Sequence, residues 1–198
     1  MVTTQISVAS RIIDEFENSI QVKRQVIDEQ VSALEEIADI LIHAMKIGNK
    51  IILFGNGGSA ADSQHFAAEL VSKFRRWRKA LPAIALTTDT SILTSIGNDY
   101  GFVEVFSRQI EALGERGDVA IGISTSGNSP NVLEGIATAR SMGMTTVGFT
   151  GAEGGNLKNL VDFCFQVPST NTARIQEVHI TAAHALCELI DQEFYEQA

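Results

Sequence analysis

In 198 residues the sequence has only three prolines and two cysteines, and no apolar run long enough to cross a bilayer. Cys164 and Cys187 stand well apart and belong to no CxxC pair, so a disulfide framework is excluded and both are expected as reduced, partly buried thiols. Basic residues are scarce: 15 against 24 acidic ones leave a formal net charge of -9, a field that repels nucleic acid. The opening "MVTTQISVASRIIDEFENSI" has no basic region ahead of an apolar segment, which predicts a soluble, cytoplasmic protein with no membrane partner. Internal repeats, low-complexity tracts and linkers are lacking too. With 44% hydrophobic residues the chain can bury a full core, as one compact domain with a helical appendage.

What is present is a regular alternation. From about Val8 to Lys46 apolar residues recur at helical spacing (Ile12, Ile13, Phe16, Ile20, then Ile27, Val31, Leu34, Ala38, Leu41, Ile42), which predicts a helical arm over residues 1–47. Over 48–198 short apolar runs follow, "KIILFG", "AIALTT", "DVAIGIS", "TTVGFTG" and "FCFQVP", separated by helix-like stretches of about a dozen residues or more. This is the pattern of parallel strands joined by crossover helices. The predicted fold is α/β, a three-layer α/β/α sandwich around a five-stranded parallel sheet with an N-terminal helical arm.

Ligands of such folds gather where strands pass into helix N-termini. Three turns read that way. In "FGNGGSAADSQHFAAEL", Asn56, Gly57 and Gly58 permit a close backbone turn, and Ser59 is placed to cap the helix with Asp62 three residues on. "SIGNDYG" presents Asn98 and Asp99. "GISTSGNSPNV" gathers Ser124, Thr125, Ser126 and Ser129 around Gly127 with no lysine or arginine. Capping accounts for one or two such hydroxyls. Four suit an anion: backbone N–H groups and the helix dipole attract it, and hydroxyls add neutral donors. The GxxxxGK[ST] pattern and its lysine are missing, and "GNGGS" is not GxGxxG, so no nucleotide cofactor is expected.

Titratable groups lie on two helices. His65 and Glu69, four residues apart, share a face flanking the stripe Phe66, Leu70 and Phe74, an arrangement that on spacing alone also describes a solvated surface pair. In "TARIQEVHITAAHALCELIDQEF" about 100° per residue makes Ile175, Val178, Ala182, Leu186 and Leu189 the core stripe. His179 falls beside that stripe as a structural residue. His184 falls opposite, facing solvent, a neighbouring subunit or an active site, with Gln176 and Glu177 flanking the same side.

The blocks "GNGGSAADSQHFAAEL", "ALTTDTSILTSIGNDYGF", "GISTSGNSPNV" and "ARIQEVHITAAHALCELID", in this order, resemble the bacterial phosphoheptose isomerases of the sugar isomerase (SIS) superfamily. The likeness runs from Gly48 to Asp191. It implies conversion of D-sedoheptulose 7-phosphate to D-glycero-D-manno-heptose 7-phosphate, the first step towards the ADP-heptose of the lipopolysaccharide inner core. It implies homotetramers with sites between subunits, which would account for the arm. Substrate contacts fall at Asn56, Gly57, Gly58, Ser59, Glu69, Asn98, Asp99, Ser124, Thr125, Ser126, Ser129 and Gln176. Glu69 and His184 become the catalytic pair, and His65, Glu69, Gln176 and His184 the ligands of one zinc ion per subunit. Ala173 departs from the pattern, since some members carry Asp there.

The residue types fit the chemistry independently of the likeness. Moving a carbonyl between C1 and C2 needs a carbon proton removed, an enediolate stabilised and the proton returned to the adjacent carbon. A carboxylate suits the carbon and an imidazole the oxygens. Zinc accepts His, carboxylate and amide oxygen donors and polarises carbonyls. Gln176 and His184, eight residues and about 12 Å apart along one helix, are awkward joint ligands. An alternative is a non-enzymatic SIS protein like DiaA, which binds the replication initiator DnaA. That protein carries Asn in place of His184 and Arg in place of Ser126, and at both positions this chain follows the enzymes. A sugar-phosphate-sensing regulator would need a DNA-binding domain, for which the chain has neither room nor charge.

Overall fold

The structure, a computed structural model, describes residues 7–195; the first six residues of the expected arm and the last three of the chain lie outside the described residues. Each apolar run becomes a strand: β1 (Ile51–Gly55), β2 (Ala83–Ala85), β3 (Val119–Ile123), β4 (Thr145–Thr150) and β5 (Phe163–Gln166). They form one sheet of order β2-β1-β3-β4-β5, with every pair parallel. Ile51 stands level with Ala83 on one side and Val119 on the other. The chain moves outward from β1 to β2 and then returns across β1 to β3, so its direction of winding switches between β1 and β3.

Helices cover both faces: α1 (Val8–Glu29), α2 (Val31–Lys46), α3 (Gly58–Val71), α4 (Thr90–Asp99), α5 (Ser107–Leu113), α6 (Pro130–Ser141), α7 (Leu157–Leu160) and α8 (Thr172–Phe194). With both faces covered, β1 and β3 are buried along their whole length, which is why they read as unbroken apolar runs. Alternate residues serve two cores. Ile51, Leu53, Val119 and Ile121 pack with α2, α3 and α8, while Ile52, Phe54 and Ala120 pack with α5 and α6. The predicted arm is two helices broken at Gln30, whose Oε1 accepts from the Gln166 N–H at 3.2 Å. Ile37, Leu41 and Met45 of α2 belong to the core, whereas Val8, Ile12, Ile13 and Phe16 of α1 are exposed on the single chain.

Four sequence expectations need correction. β2 has only three residues and α7 only four, because β2 is an edge strand with an exposed Ile84 and the loop into α7 is set by glycines. Ser59 does not cap α3: Gly57 occupies the cap position at φ +55°, and Ser59 is buried in the first turn. "SIGNDYG" is the C-terminal end of α4, closed by Gly101 at φ +97°, and no strand-to-helix turn. On α8 Leu189 is 42% exposed, and Ala183, Cys187 and Ile190 complete the buried stripe, because the core wraps around the helix beyond a straight line of positions.

His179 is structural, as expected. It is buried against Phe149 and Phe165, with Nε2 3.2 Å from the Thr150 carbonyl oxygen. Burial pushes its imidazole down from 6.5 to about 4, outweighing the raising effect of the Thr150 bond. A depressed folded-state pKa means that neutral His179 favours folding above pH 6.5, and that this contribution is lost as the pH falls towards 4. Urea midpoints are therefore expected to drop between those pH values, and the drop to shrink in His179→Gln. Equal slopes in the two proteins would remove His179 as its source.

Candidate active site

The turns after β1 and β3 face each other at the point where the winding switches, the place where open parallel sheets bind ligands. A reciprocal amide pair locks them together. Asn56 Nδ2 donates to Asn131 Oδ1 at 2.8 Å, and Asn131 Nδ2 donates to Asn56 Oδ1 at 2.9 Å. Asn131 is buried and was not among the expected site residues, although it lies within the block "GISTSGNSPNV" and its only sequence signal is that position.

The hydroxyl cluster opens α6. Ser124 Oγ and Ser129 Oγ are 3.0 Å apart, and the Ser129 N–H points to Ser124 Oγ at 3.4 Å. Ser126 is exposed and accepts from the Asn128 N–H at 3.2 Å. Pro130 stands in the first turn of α6, where its missing N–H costs nothing. Gly127 is required here: its φ is +66°, and a Cβ would fall 2.0 Å from the Gly154 carbonyl oxygen, so the loop after β4 closes over the turn. Thr125, Ser126 and Asn128 form one side of an open cavity of about 230 Å³, whose other side carries Glu153, Ser169, Thr170 and Thr172. These last four residues were missed in the sequence because each precedes or follows an element without a pattern of its own.

Gly58 begins α3 against Gln176. A Cβ at Gly58 would fall 2.4 Å from Gln176 Nε2, so glycine admits the amide to the turn. Gln176 thus stands seven residues, about 10 Å, along α3 from His65. Within one chain it is not brought to the other expected metal ligands. Asn98 and Asp99 are exposed, and Asn98 Nδ2 donates to Asp99 Oδ1 at 2.7 Å.

The remaining three expected ligands do converge. His65 Nε2 lies 2.9 Å from His184 Nε2 and 3.3 Å from Glu69 Oε1. One ligand atom from each of the three residues lies within 4.8 Å of the others. The His184 ring stacks on Phe74 at 5.5 Å, which fixes the plane of the imidazole. Two neutral imidazole nitrogens this close require one to donate and the other to accept. One turn before His65, Asp62 Oδ2 is buried without a hydrogen-bond partner. Burial raises its carboxyl to about 6, partly offset by His65.

A parallel SIS-type sheet with phosphate-sized turns at its switch point defines the class: the SIS domain family matches residues 15–151. Over nearly its whole length the chain is also similar to named enzymes. The phosphoheptose isomerase of Roseiflexus sp. (strain RS-1) is 59% identical over 186 residues, 94% of each chain. The structure of the phosphoheptose isomerase GmhA from Neisseria gonorrhoeae superposes with a TM-score of 0.89 at 44% identity, covering 94% of this chain and 100% of that one. That of a phosphoheptose isomerase from Francisella tularensis gives 0.91 at 38% identity, with the same coverage. The chain belongs to the phosphoheptose isomerases, a family of enzymes. Among the described residues no helix is long and apolar enough to cross a membrane.

Proposed function

We propose that the chain converts D-sedoheptulose 7-phosphate to D-glycero-D-manno-heptose 7-phosphate in the cytoplasm, in the first step towards ADP-heptose. The convergence of His65, Glu69 and His184 from two helices carries this reading, because it sets a carboxylate and an imidazole side by side near a turn fit for a phosphate. Ser124, Thr125, Ser126 and Ser129 hold the phosphate with the N–H groups opening α6. Asn56, Gly57, Gly58, Ser59 and Gln176 line the approach to the sugar, with Asn98 and Asp99 as further contacts. Glu69 takes the proton from C1 and returns it to C2, and His184 moves protons at the two oxygens.

His65, Glu69 and His184 also suit a zinc ion: two imidazoles and a carboxylate leave the fourth position open for substrate, the catalytic type of site. When bound, the ion would supply Lewis-acid polarisation of the carbonyl. Gln176, the other expected ligand, meets Gly58 in its own chain. In a homotetramer the exposed apolar face of α1 would be buried against neighbouring copies, and the mass in solution tests this directly.

Incubating the purified protein with sedoheptulose 7-phosphate and following the aldose tests the reaction. Conversion no greater than a heat-killed control would overturn it and favour a binding protein. Replacing Ser124 and Ser126 together by Ala is expected to raise KM at least a hundredfold. Each lost bond to a charged phosphate is worth roughly 1.5 to 3 kcal/mol. An unchanged KM would place the phosphate elsewhere.

A further inference from the structure

Two helices supply the reacting cluster, His65 and Glu69 from α3 and His184 from α8. Apolar packing between helices is non-directional, so the alignment of one set against the other needs a contact with a fixed direction. One stands seven residues beyond His184. Asp191 is fully buried, and its Oδ2 accepts from the backbone N–H groups of Arg75 at 2.6 Å and Arg76 at 2.8 Å. Its Oδ1 accepts from Arg78 Nε at 2.6 Å, and the two side chains are 0% and 1% exposed. Burial opposes the charge on Asp191, but these donors and the guanidinium outweigh it and hold the carboxyl below its usual range.

The other end of Arg78 returns to α3. Nη2 donates to the Glu69 carbonyl oxygen at 2.8 Å, and Nη1 donates to those of Leu70 at 2.9 Å and Lys79 at 3.0 Å. Last-turn carbonyls such as these have no partner within the helix, and a guanidinium fork can reach two of them while still holding a carboxylate. The residue it grips is the one assigned the carbon proton. A buried ion pair is weak evidence for stability, because apolar side chains of similar size often replace one without loss. Stability alone therefore does not account for a charge pair aimed at the backbone of Glu69.

We propose that the buried Arg78–Asp191 pair holds the Glu69 turn of α3 in line with His184 on α8, so that both are positioning residues for the isomerase reaction. The inference rests on the roles given above to Glu69 and His184. Neither Arg78 nor Asp191 touches the reacting cluster.

The informative variant is the double replacement Arg78→Met/Asp191→Leu, because removing one partner alone strands a buried charge and unfolds for that reason. Its Tm is expected to stay near that of the starting protein. Its kcat should fall about tenfold to a hundredfold, as misplacing a reacting group by about 1 Å does, with KM for sedoheptulose 7-phosphate changed less than about threefold. Zinc affinity, read by titration of metal-free protein, should weaken about tenfold to a hundredfold. Arg78→Lys keeps the charge opposite Asp191 but cannot span the carboxylate and both carbonyls. It is expected to lose kcat in the same way and carries the test if the double variant does not fold. Normal kcat and zinc affinity in either folded variant would overturn the proposal. If the unaltered protein binds zinc but does not isomerise, only the proposed reaction fails and the zinc titration decides between the variants. If it does neither, both readings fall.

Discussion

His184→Asn is expected to leave the fold intact and to lower kcat by about a hundredfold to ten-thousandfold, the usual cost of removing a positioned acid or base. His184 is half-buried on the side of α8 away from the core stripe, so the shorter amide leaves Ile175, Val178, Ala182 and Leu186 untouched. What it removes is the nitrogen 2.9 Å from His65 Nε2, and an amide does not titrate near neutral pH. Only the stacking on Phe74 is lost from the packing. Bound metal should decline with turnover if the three ligands act together. The measurement is kcat, Tm and metal content of the purified variant. Near-normal turnover refutes the catalytic role, and a collapsed Tm makes His184 a structural residue.

How far the sequence reveals this molecule depends on the range of the forces involved. All five strands were legible because a strand buried on both faces must be apolar throughout, and "IILFG" and "VAIGI" are. The short elements were not. Within 151–162 the glycines and a four-residue α7 leave no period to read. The cap of α3 was misassigned because Ser59 has the chemistry of a cap while Gly57 has the backbone freedom, and φ +55° decided it.

The candidate site divides in the same way. His65 and Glu69 are legible as a pair from helical spacing alone. Their meeting with His184 spans 119 residues and depends on how α3 and α8 cross, which no local pattern states. Asn131 and Arg78 were invisible for the same reason: each acts through a partner 75 or 113 residues away. Arg78 was further hidden in "KFRRWRK", where a run of cations reads as solvated surface although one member is 1% exposed.

Glu69→Gln separates the carbon step from the oxygen steps. Gln has nearly the shape of Glu, so the turn held by Arg78 and the neighbouring Leu70 in the core should keep their places. The amide cannot accept a carbon proton, and kcat is expected to fall on the order of a thousandfold or more, within the range for a lost general base and towards its upper end. KM should change little, because the hydroxyl turn that holds the phosphate belongs to α6 and is untouched. The sharper measurement is hydrogen exchange at C1 of sedoheptulose 7-phosphate in deuterated water. Glu69→Gln should abolish it, since enediolate formation is blocked at its first proton. His184→Asn should slow it less than it slows aldose formation, because a carboxylate still faces the carbon. If exchange persists in Glu69→Gln and vanishes in His184→Asn, the two roles are reversed and the imidazole is the carbon base.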